Sequence, residues 1–129
     1  MFPYQSHNFT DTIMSSLTIT IIQPNLAWEN KKANLEMFFG KIESIRERTE
    51  VVILPEMFST GFSMNTQLLA EKMDGKTVEW MRKIAVLRNI ILTGSLIIEE
   101  NNQYFNRLVW MLPNGHIFLN LIILKVIKV

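Results

Sequence analysis

The sequence predicts an α/β domain, in which β-strands alternate with amphipathic helices. Short runs of β-branched residues without alternation indicate buried strands, two longer stretches have a helical apolar period, and turn residues separate them. Of the 129 residues, 48% are apolar, which is enough to build a core. No internal repeat or low-complexity linker divides the chain. We therefore expect one modest domain or a part of a larger one.

The first strand and helix are predicted near the N-terminus. Leu17–Ile22 (LTITII) is β-branched and runs into Gln23-Pro24-Asn25, which predicts a strand followed by a loop. Asn30–Arg48 is predicted to be a helix, because its apolar residues recur at spacings of three and four and form one stripe. Those residues are Leu35, Phe38, Ile42 and Ile45.

The second strand, Val51–Leu54, leads into a carboxylate. Pro55 cannot extend a central ladder, so the strand should end there and present Glu56 at its C-terminal end, where α/β sheets gather ligands. Phe58 and Phe62 follow closely. A carboxylate walled by aromatic rings is poorly solvated and suited to proton transfer. A carboxylate that caps the next turn, or that lies exposed in a loop, fits the same residues.

A second helix and a third strand follow. Leu68–Lys76 is predicted to be a connection with a turn at Asp74-Gly75, and Thr77 can cap a helix that ends at about Arg88. Ile90–Ile98 is predicted to be a strand, in which Gly94 marks a close approach of a neighbour or a bulge.

The remaining pattern predicts antiparallel strands. Asn101-Asn102 turns the chain, so that Tyr104–Met111 returns beside the third strand as a hairpin. Pro113-Asn114-Gly115 is another turn, and His116–Leu119 begins a fifth strand.

Composition excludes several classes of function. The formal charge of +1 gives no reason to expect nucleic acid or an anionic membrane as a partner. No secretory signal and no apolar run of about 20 residues is present, so we expect a cytoplasmic protein. The sequence contains no cysteine, and its two histidines, His7 and His116, are far apart in the chain. The sequence therefore has no histidines or cysteines at the spacing of a metal site. A dinucleotide-binding module would need a glycine fingerprint after the first strand, where the chain has Gln23-Pro24-Asn25.

The chain resembles the N-terminal half of a carbon–nitrogen hydrolase of the nitrilase superfamily, in its omega-amidase-like branch. The resemblance covers residues 17–118 and rests mainly on the segment PEMFSTGF, which begins at Pro55. Further matching segments are Gln23-Pro24-Asn25-Leu26-Ala27-Trp28-Glu29, Ala33-Asn34-Leu35, Thr93-Gly94-Ser95, Tyr104, Asn106 and Pro113-Asn114-Gly115.

The resemblance implies a four-layer α-β-β-α sandwich and a Glu-Lys-Cys triad that hydrolyses small amides. In this family the glutamate, matched by Glu56, is the general base for a cysteine thiol, and the lysine stabilises the tetrahedral intermediate. Phe58 and Phe62 match positions that line the substrate pocket. Omega-amidases act on side-chain amides of small oxo- or dicarboxylic acids, release ammonia and use no metal or organic cofactor.

The chain departs from the family pattern after Phe118. By spacing, the catalytic lysine should fall near Ile122, whereas Lys125 and Lys128 are off register. We therefore expect three segments. Residues 1–16 form an irregular extension, in which Met14 is an alternative start. Residues 17–118 form a partial hydrolase domain, and residues 119–129 form an off-family tail. The expected cause of the tail is a truncated or frame-shifted reading frame. The tail is apolar and β-prone, so we also expect self-association.

Two functions remain open at this point. The first is an omega-amidase-like hydrolase, of which this chain supplies the N-terminal portion and the base Glu56. The second is a non-catalytic α/β fragment that at most binds a small molecule or a partner chain. The missing cysteine leads us to expect that the chain as written is inactive.

Overall fold

The strands and helices assemble into a five-stranded sheet with the two long helices on one face, and the computed structural model describes residues 15–126. The elements are β1 (Ile19–Ile21), α1 (Lys31–Glu43), β2 (Val51–Ile53), α2 (Thr66–Leu69), α3 (Lys76–Arg88), β3 (Ile91–Glu100), β4 (Gln103–Met111) and β5 (Ile117–Val126). The strands pair in chain order, with β1, β2 and β3 parallel and β3, β4 and β5 antiparallel. This arrangement confirms the predicted α/β class.

Helix α1 begins where the sequence predicts and ends five residues earlier than expected. The side chain of Asn30 caps its N-terminus by accepting a hydrogen bond from the Ala33 N–H at 3.1 Å. At the other end, the Ser44 hydroxyl donates to the Lys41 carbonyl at 2.7 Å and so satisfies one of the last free carbonyls of the helix. The predicted extension to Arg48 is therefore wrong, because local side-chain bonding ends the helix.

Two further elements differ from the prediction. The short helix α2 lies just before and within a stretch that we predicted to be a plain connection. Strand β5 continues to Val126, past the predicted start at His116–Leu119, because eight residues of β4, from Tyr104 to Met111, pair with it. The β3–β4 hairpin is confirmed, and Asn101 and Asn102 both have positive φ, as a two-residue hairpin turn requires.

The main core lies between the sheet and helices α1 and α3. Alternation along the strands turns one side chain in two toward these helices. The fully buried side chains of this core include Phe38, Ile42, Val52, Val78, Met81, Ala85, Leu92, Ile98, Val109 and Met111. Within residues 15–126, no helix is long and apolar enough to cross a membrane.

The opposite face of the sheet has only a partial cover. A second and smaller cluster forms there, where Met57 and Leu69 pack against Ile97 and Val126. The cover comes from the segment that follows β2, and this segment also carries Glu56. The described residues thus form one helix layer and one sheet layer, with the candidate site at the C-terminal end of β2.

Candidate functional site

Glu56 lies two residues beyond Leu54, at the C-terminal end of β2, and its side chain is exposed. The expected enclosure by aromatic rings is therefore wrong for the described residues. The backbone of Leu54 still belongs to the sheet, since its N–H donates to the Thr93 carbonyl at 2.8 Å. None of the ion pairs among residues 15–126 includes Glu56. The carboxylate therefore lies at the sheet edge predicted for it, but in contact with solvent.

The residue after Glu56 fixes the path of the backbone. Met57 has a positive φ of 47°, a left-handed conformation that is unusual for a side chain of this size. Its N–H donates to the Ser95 hydroxyl at 2.9 Å, and the next N–H, of Phe58, donates to the Ser95 carbonyl at 3.1 Å. Met57 and Phe58 are both fully buried. Strand β3 therefore holds the backbone directly after Glu56, and the strain is balanced by surrounding contacts.

Asn34 joins the loop after β1 to the loop after β2. Its side chain is fully buried and lies on α1. The amide oxygen accepts from the Ala27 N–H at 2.7 Å, and the amide nitrogen donates to the carbonyls of Ala27 at 2.8 Å and Ser59 at 2.9 Å. Three of the four hydrogen-bonding positions of this amide are used on backbone groups. The two loops are therefore fixed against each other by one side chain.

A second link between the same loops surrounds Gly61. The Glu29 N–H donates to the Thr60 carbonyl at 2.8 Å, and the Ser63 hydroxyl donates to the Glu29 carboxylate at 2.6 Å. Gly61 has a φ of 78°, and a Cβ atom there would lie 3.1 Å from the Trp28 ring. A glycine is required here both by the backbone conformation and by the ring above it.

The two predicted pocket residues lie in different surroundings. Phe58 has no exposed surface and packs among the helix-side core, with ring centroids 5.8 Å from Phe38 and 5.9 Å from Trp80. In this conformation the Phe58 ring supports the loop from the helix side of the sheet and exposes no surface that a ligand could contact. Phe62 is 55% exposed at the surface of the loop. A pocket-lining role for either residue stays a prediction.

An ionic network holds the start of α3 near the same edge of the sheet. Glu71 accepts hydrogen bonds from the hydroxyl and the N–H of Thr77, and it pairs with Lys31 of α1 at 2.9 Å. Burial raises the pKa of the Glu71 carboxyl, but the bonds from Thr77 and Lys31 outweigh burial and hold this pKa below its ordinary value. Because the N-cap residue Gly75 has no side chain, Glu71 stabilises the helix N-terminus in its place.

An open cleft of about 830 Å³ lies beside this network, between α1 and α3. Its apolar lining includes Leu35, Phe39 and Trp80, while lysines and acids surround its rim. Glu56 is not among the residues that line it. The cleft therefore lies apart from the predicted catalytic carboxylate.

The other candidate residues do not gather at Glu56 in the described structure. Lys125 is opposite Phe105 and exposed, on the side of the sheet that carries α1 and α3, and Lys128 and His7 lie outside the described residues. His116 is exposed in a turn, where its N–H donates to the Asn114 side chain. No cluster of three or more metal-ligating side chains occurs between residues 15 and 126.

Sequence reasoning assigned no role to Asn34, Ser95 or Glu71. Asn34 and Ser95 lie within segments that carry the family resemblance, so the signal was available, but neither residue has a chemistry that marks it as catalytic. Their partners are 25 and 38 residues away in the chain, and no local pattern reveals such pairs. Glu71 carries no motif signal at all.

Comparison with known proteins gives one family. The family model described as "Carbon-nitrogen hydrolase" matches residues 18–126, and this matched range runs past Phe118. The domain boundary that we place at Phe118 therefore stays a prediction. The chain is 36% identical over 104 residues to the omega-amidase YafV of Yersinia enterocolitica, a match that covers 81% of this chain and 40% of that relative. It is 27% identical over 92 residues to the 2-oxoglutaramate amidase of Bacillus subtilis, covering 69% of this chain and 35% of that relative.

Solved structures agree with this assignment. The crystal structure of XC1258 from Xanthomonas campestris, a CN-hydrolase superfamily protein, superposes with a TM-score of 0.79 at 33% identity and covers 84% of this chain and 41% of that one. An N-terminal amidase superposes with a TM-score of 0.74 at 16% identity, which supports the fold alone. The chain thus spans about 40% of the length of the omega-amidases that it matches.

Proposed function

Because the chain belongs to the carbon-nitrogen hydrolase family, we propose that it supplies the general-base portion of an amide-hydrolysing site, with Glu56 as the base. The observation that carries this proposal is the fixed backbone around an exposed carboxylate. Ser95 holds the two residues after Glu56, while the carboxylate itself remains accessible to a partner group. A general base must lie within hydrogen-bond reach of the proton that it takes, and a fixed backbone meets part of this requirement.

The proposed chemistry follows the family triad in a whole domain. Glu56 takes the proton of a cysteine thiol, and the thiolate attacks the carbonyl carbon of the amide. A lysine stabilises the oxyanion of the tetrahedral intermediate, the C–N bond breaks, and ammonia leaves with a returned proton. Water then hydrolyses the thioester to release the acid and the thiol. The proposed substrates are side-chain amides of small oxo- or dicarboxylic acids, without a metal or organic cofactor, and a cytoplasmic location stays a prediction.

The 129-residue chain alone should be inactive. It contains no cysteine, so the step that forms the covalent intermediate has no nucleophile within this sequence. Loss of a nucleophile removes several orders of magnitude in rate, because the remaining groups can only bind and polarise the substrate. The purified chain should release no ammonia above background from 2-oxoglutaramate or succinamate. Turnover that disappears in Glu56→Gln would show that Glu56 works without its partners.

A chimera tests the role of Glu56 directly. Residues 17–118 would replace the aligned segment of the Yersinia enterocolitica omega-amidase, so that the relative provides the remainder of the domain. We expect ammonia release from the chimera and a loss of at least about 100-fold in kcat with Glu56→Gln. The control is Glu36→Gln, because Glu36 is an exposed carboxylate on α1 with only a 3.9 Å pair to Lys32. Equal activity of both variants would refute the role of Glu56.

A second function is favoured by one observation, namely the absence of cysteine. In this alternative the chain is a non-catalytic fragment that binds a small molecule or a partner chain. A chimera that folds, binds the amide and yet has no activity with Glu56 in place would support this alternative over the first.

A further inference from the structure

The path of the backbone around Glu56 departs from a regular strand. In a parallel ladder the hydrogen bonds are evenly spaced, and each next bond lies two residues further along both strands. The Leu54 N–H donates to the Thr93 carbonyl at 2.8 Å. A regular ladder would next join the Glu56 N–H to the Ser95 carbonyl, but this carbonyl accepts from the Phe58 N–H at 3.1 Å. Three residues therefore lie between consecutive ladder bonds, where a regular ladder has one, and Glu56 is the middle residue.

We call residues 55–57, which lie between these two ladder bonds, the bulge. Its last residue, Met57, is fully buried and has a φ of 47°, so its N–H has no place in the ladder. A buried N–H group without an acceptor is costly. The Met57 N–H donates instead to the hydroxyl of Ser95 at 2.9 Å, and Ser95 is itself buried. The Ser95 side chain therefore supplies the acceptor that the interrupted ladder does not.

The neighbouring residue Gly94 holds the same part of the chain from the other face of the sheet. A Cβ atom on Gly94 would lie 2.8 Å from the Phe58 ring and 3.0 Å from the Leu54 Cβ, so only a glycine admits the ring there. Met57 and Phe58, although adjacent, belong to the core clusters on opposite faces of the sheet. Gly94 and Ser95 therefore fix the end of the bulge from both faces.

The hydrogen bond to Ser95 acts on the peptide group that joins Glu56 to Met57. Because a peptide bond is planar, the Met57 N–H lies in one plane with the carbonyl and the Cα atom of Glu56. A bond that holds this N–H therefore restricts rotation of the plane at the Cα atom from which the Glu56 side chain extends. Bulges next to active sites direct a side chain in this way. Without the hydroxyl, the plane would rotate more freely and the carboxylate would move with it.

We propose that Ser95 is a positioning residue for the general base Glu56, and that it acts through its hydroxyl and the peptide plane between Glu56 and Met57. This inference rests on the proposed function of Glu56. Ser95 is buried beneath the bulge and affects the reaction only through the direction of the carboxylate. A hydroxyl that merely satisfies an N–H group would stabilise the fold, whereas one that positions a base also controls the rate of catalysis.

Steady-state kinetics of the whole-domain chimera test this role. For Ser95→Ala we expect kcat for ammonia release to fall at least about 10-fold while KM changes less than about threefold, because a displaced base slows the reaction without removing substrate contacts. Ser95→Thr keeps a hydroxyl and should restore kcat to within about threefold of the parent chimera.

Thr93→Val is the matched control. Thr93 lies on the same side of β3 as Ser95, and its buried hydroxyl has no hydrogen-bond partner among residues 15–126. Replacing an unpartnered hydroxyl by a methyl group of similar shape should leave kcat within about twofold of the parent chimera. Circular dichroism would check that each variant folds.

The outcomes separate this inference from the proposed function. An unchanged kcat in Ser95→Ala, with Glu56→Gln inactive, would overturn the role of Ser95 and leave Glu56 as the base. Full activity of Glu56→Gln would overturn both. Equal losses of kcat in Ser95→Ala and Ser95→Thr, or in Ser95→Ala and Thr93→Val, would show that the packing of β3 controls the rate and would overturn the role of the hydroxyl.

Hydrogen exchange in the unmodified 129-residue chain is a second measurement that needs no variant. The Met57 amide should exchange at least about 100-fold more slowly than in an unstructured peptide, because its acceptor is a buried hydroxyl. Should Ser95→Ala fail to fold, this protection decides the matter. Exchange of the Met57 amide at the rate of an unstructured peptide would overturn the inference.

Discussion

Replacing Asn34 by alanine should destabilise the chain more than any other single change to a polar side chain near the candidate site. The buried amide makes three hydrogen bonds of 2.7–2.9 Å, all to backbone groups of the two loops. A net contribution of about 1 kcal/mol for each bond gives a loss of about 3 kcal/mol in the free energy of unfolding. For a chain of this size, this loss corresponds to a fall of about 10 °C in Tm.

Two further variants separate hydrogen bonding from side-chain volume. Asn34→Asp keeps the acceptor for the Ala27 N–H but places a carboxylate against the carbonyls of Ala27 and Ser59, so it should destabilise at least as much as alanine. Asn30→Ala is the matched control, because Asn30 makes one exposed capping bond to Ala33. Its expected cost is about 1 kcal/mol.

The assay is urea denaturation followed by tryptophan fluorescence and circular dichroism, at one fixed protein concentration, so that any association would contribute equally to the apparent stability of each variant. Asn34→Ala within about 0.5 kcal/mol of the wild-type chain, or Asn34→Asp as stable as the wild type, would refute the reasoning. Either result would mean that water replaces the amide at no cost, and that the two loops are not held together by this side chain.

The remaining predictions concern Glu71 and two glycines. The pKa of Glu71 is held below its ordinary value in the folded state, so its contribution to stability is present above the unfolded pKa and is lost as the pH falls through the folded pKa. Glu71→Gln should therefore lower Tm at pH 7 and should converge with the wild-type chain in acid, and a Tm difference that does not change with pH would contradict this. Gly94→Ala should lower the free energy of unfolding, because its Cβ atom would lie 2.8 Å from the Phe58 ring. Gly40→Ala in α1 should raise this free energy by about 0.5–1 kcal/mol, because its Cβ atom would meet nothing within 4 Å. If chemical denaturation gives both glycine variants a change of the same sign in the free energy of unfolding, the packing argument is wrong.

Much of the fold could be predicted because its signals are local. The β-branched run that ends at Pro55 predicts a buried strand, and the structure confirms β2 there. The Asn101-Asn102 turn and the close approach at Gly94 are also confirmed, because a positive φ and a missing Cβ are properties of single residues. Each of these features depends on one short stretch of chain.

The surroundings of Glu56 could not be predicted, because they depend on contacts distant in sequence. Phe58 and Phe62 lie close to Glu56 in the sequence, and this spacing predicts an enclosed carboxylate. In the structure, the backbone at Met57 is left-handed and the Phe58 side chain packs in the helix-side core. The hydrogen bond that supports this conformation is donated by the Met57 N–H to the hydroxyl of Ser95, which is 38 residues away. Asn34 could not be predicted for the same reason, because its partners are known only when the two loops lie side by side in the fold.

The position of Glu56 and its solvation are thus controlled by different parts of the molecule. Position is set within the chain, by the backbone of β2 and by the two hydrogen bonds that the Met57 and Phe58 N–H groups donate to Ser95. Solvation depends on what covers the end of β2, and the aromatic residue that could enclose the carboxylate, Phe58, is already used in the core. A segment such as PEMFSTGF therefore encodes the path of the backbone and the direction of the carboxylate. In the proposed active site, residues that pack over this edge of the sheet would enclose the carboxylate and exclude water from it.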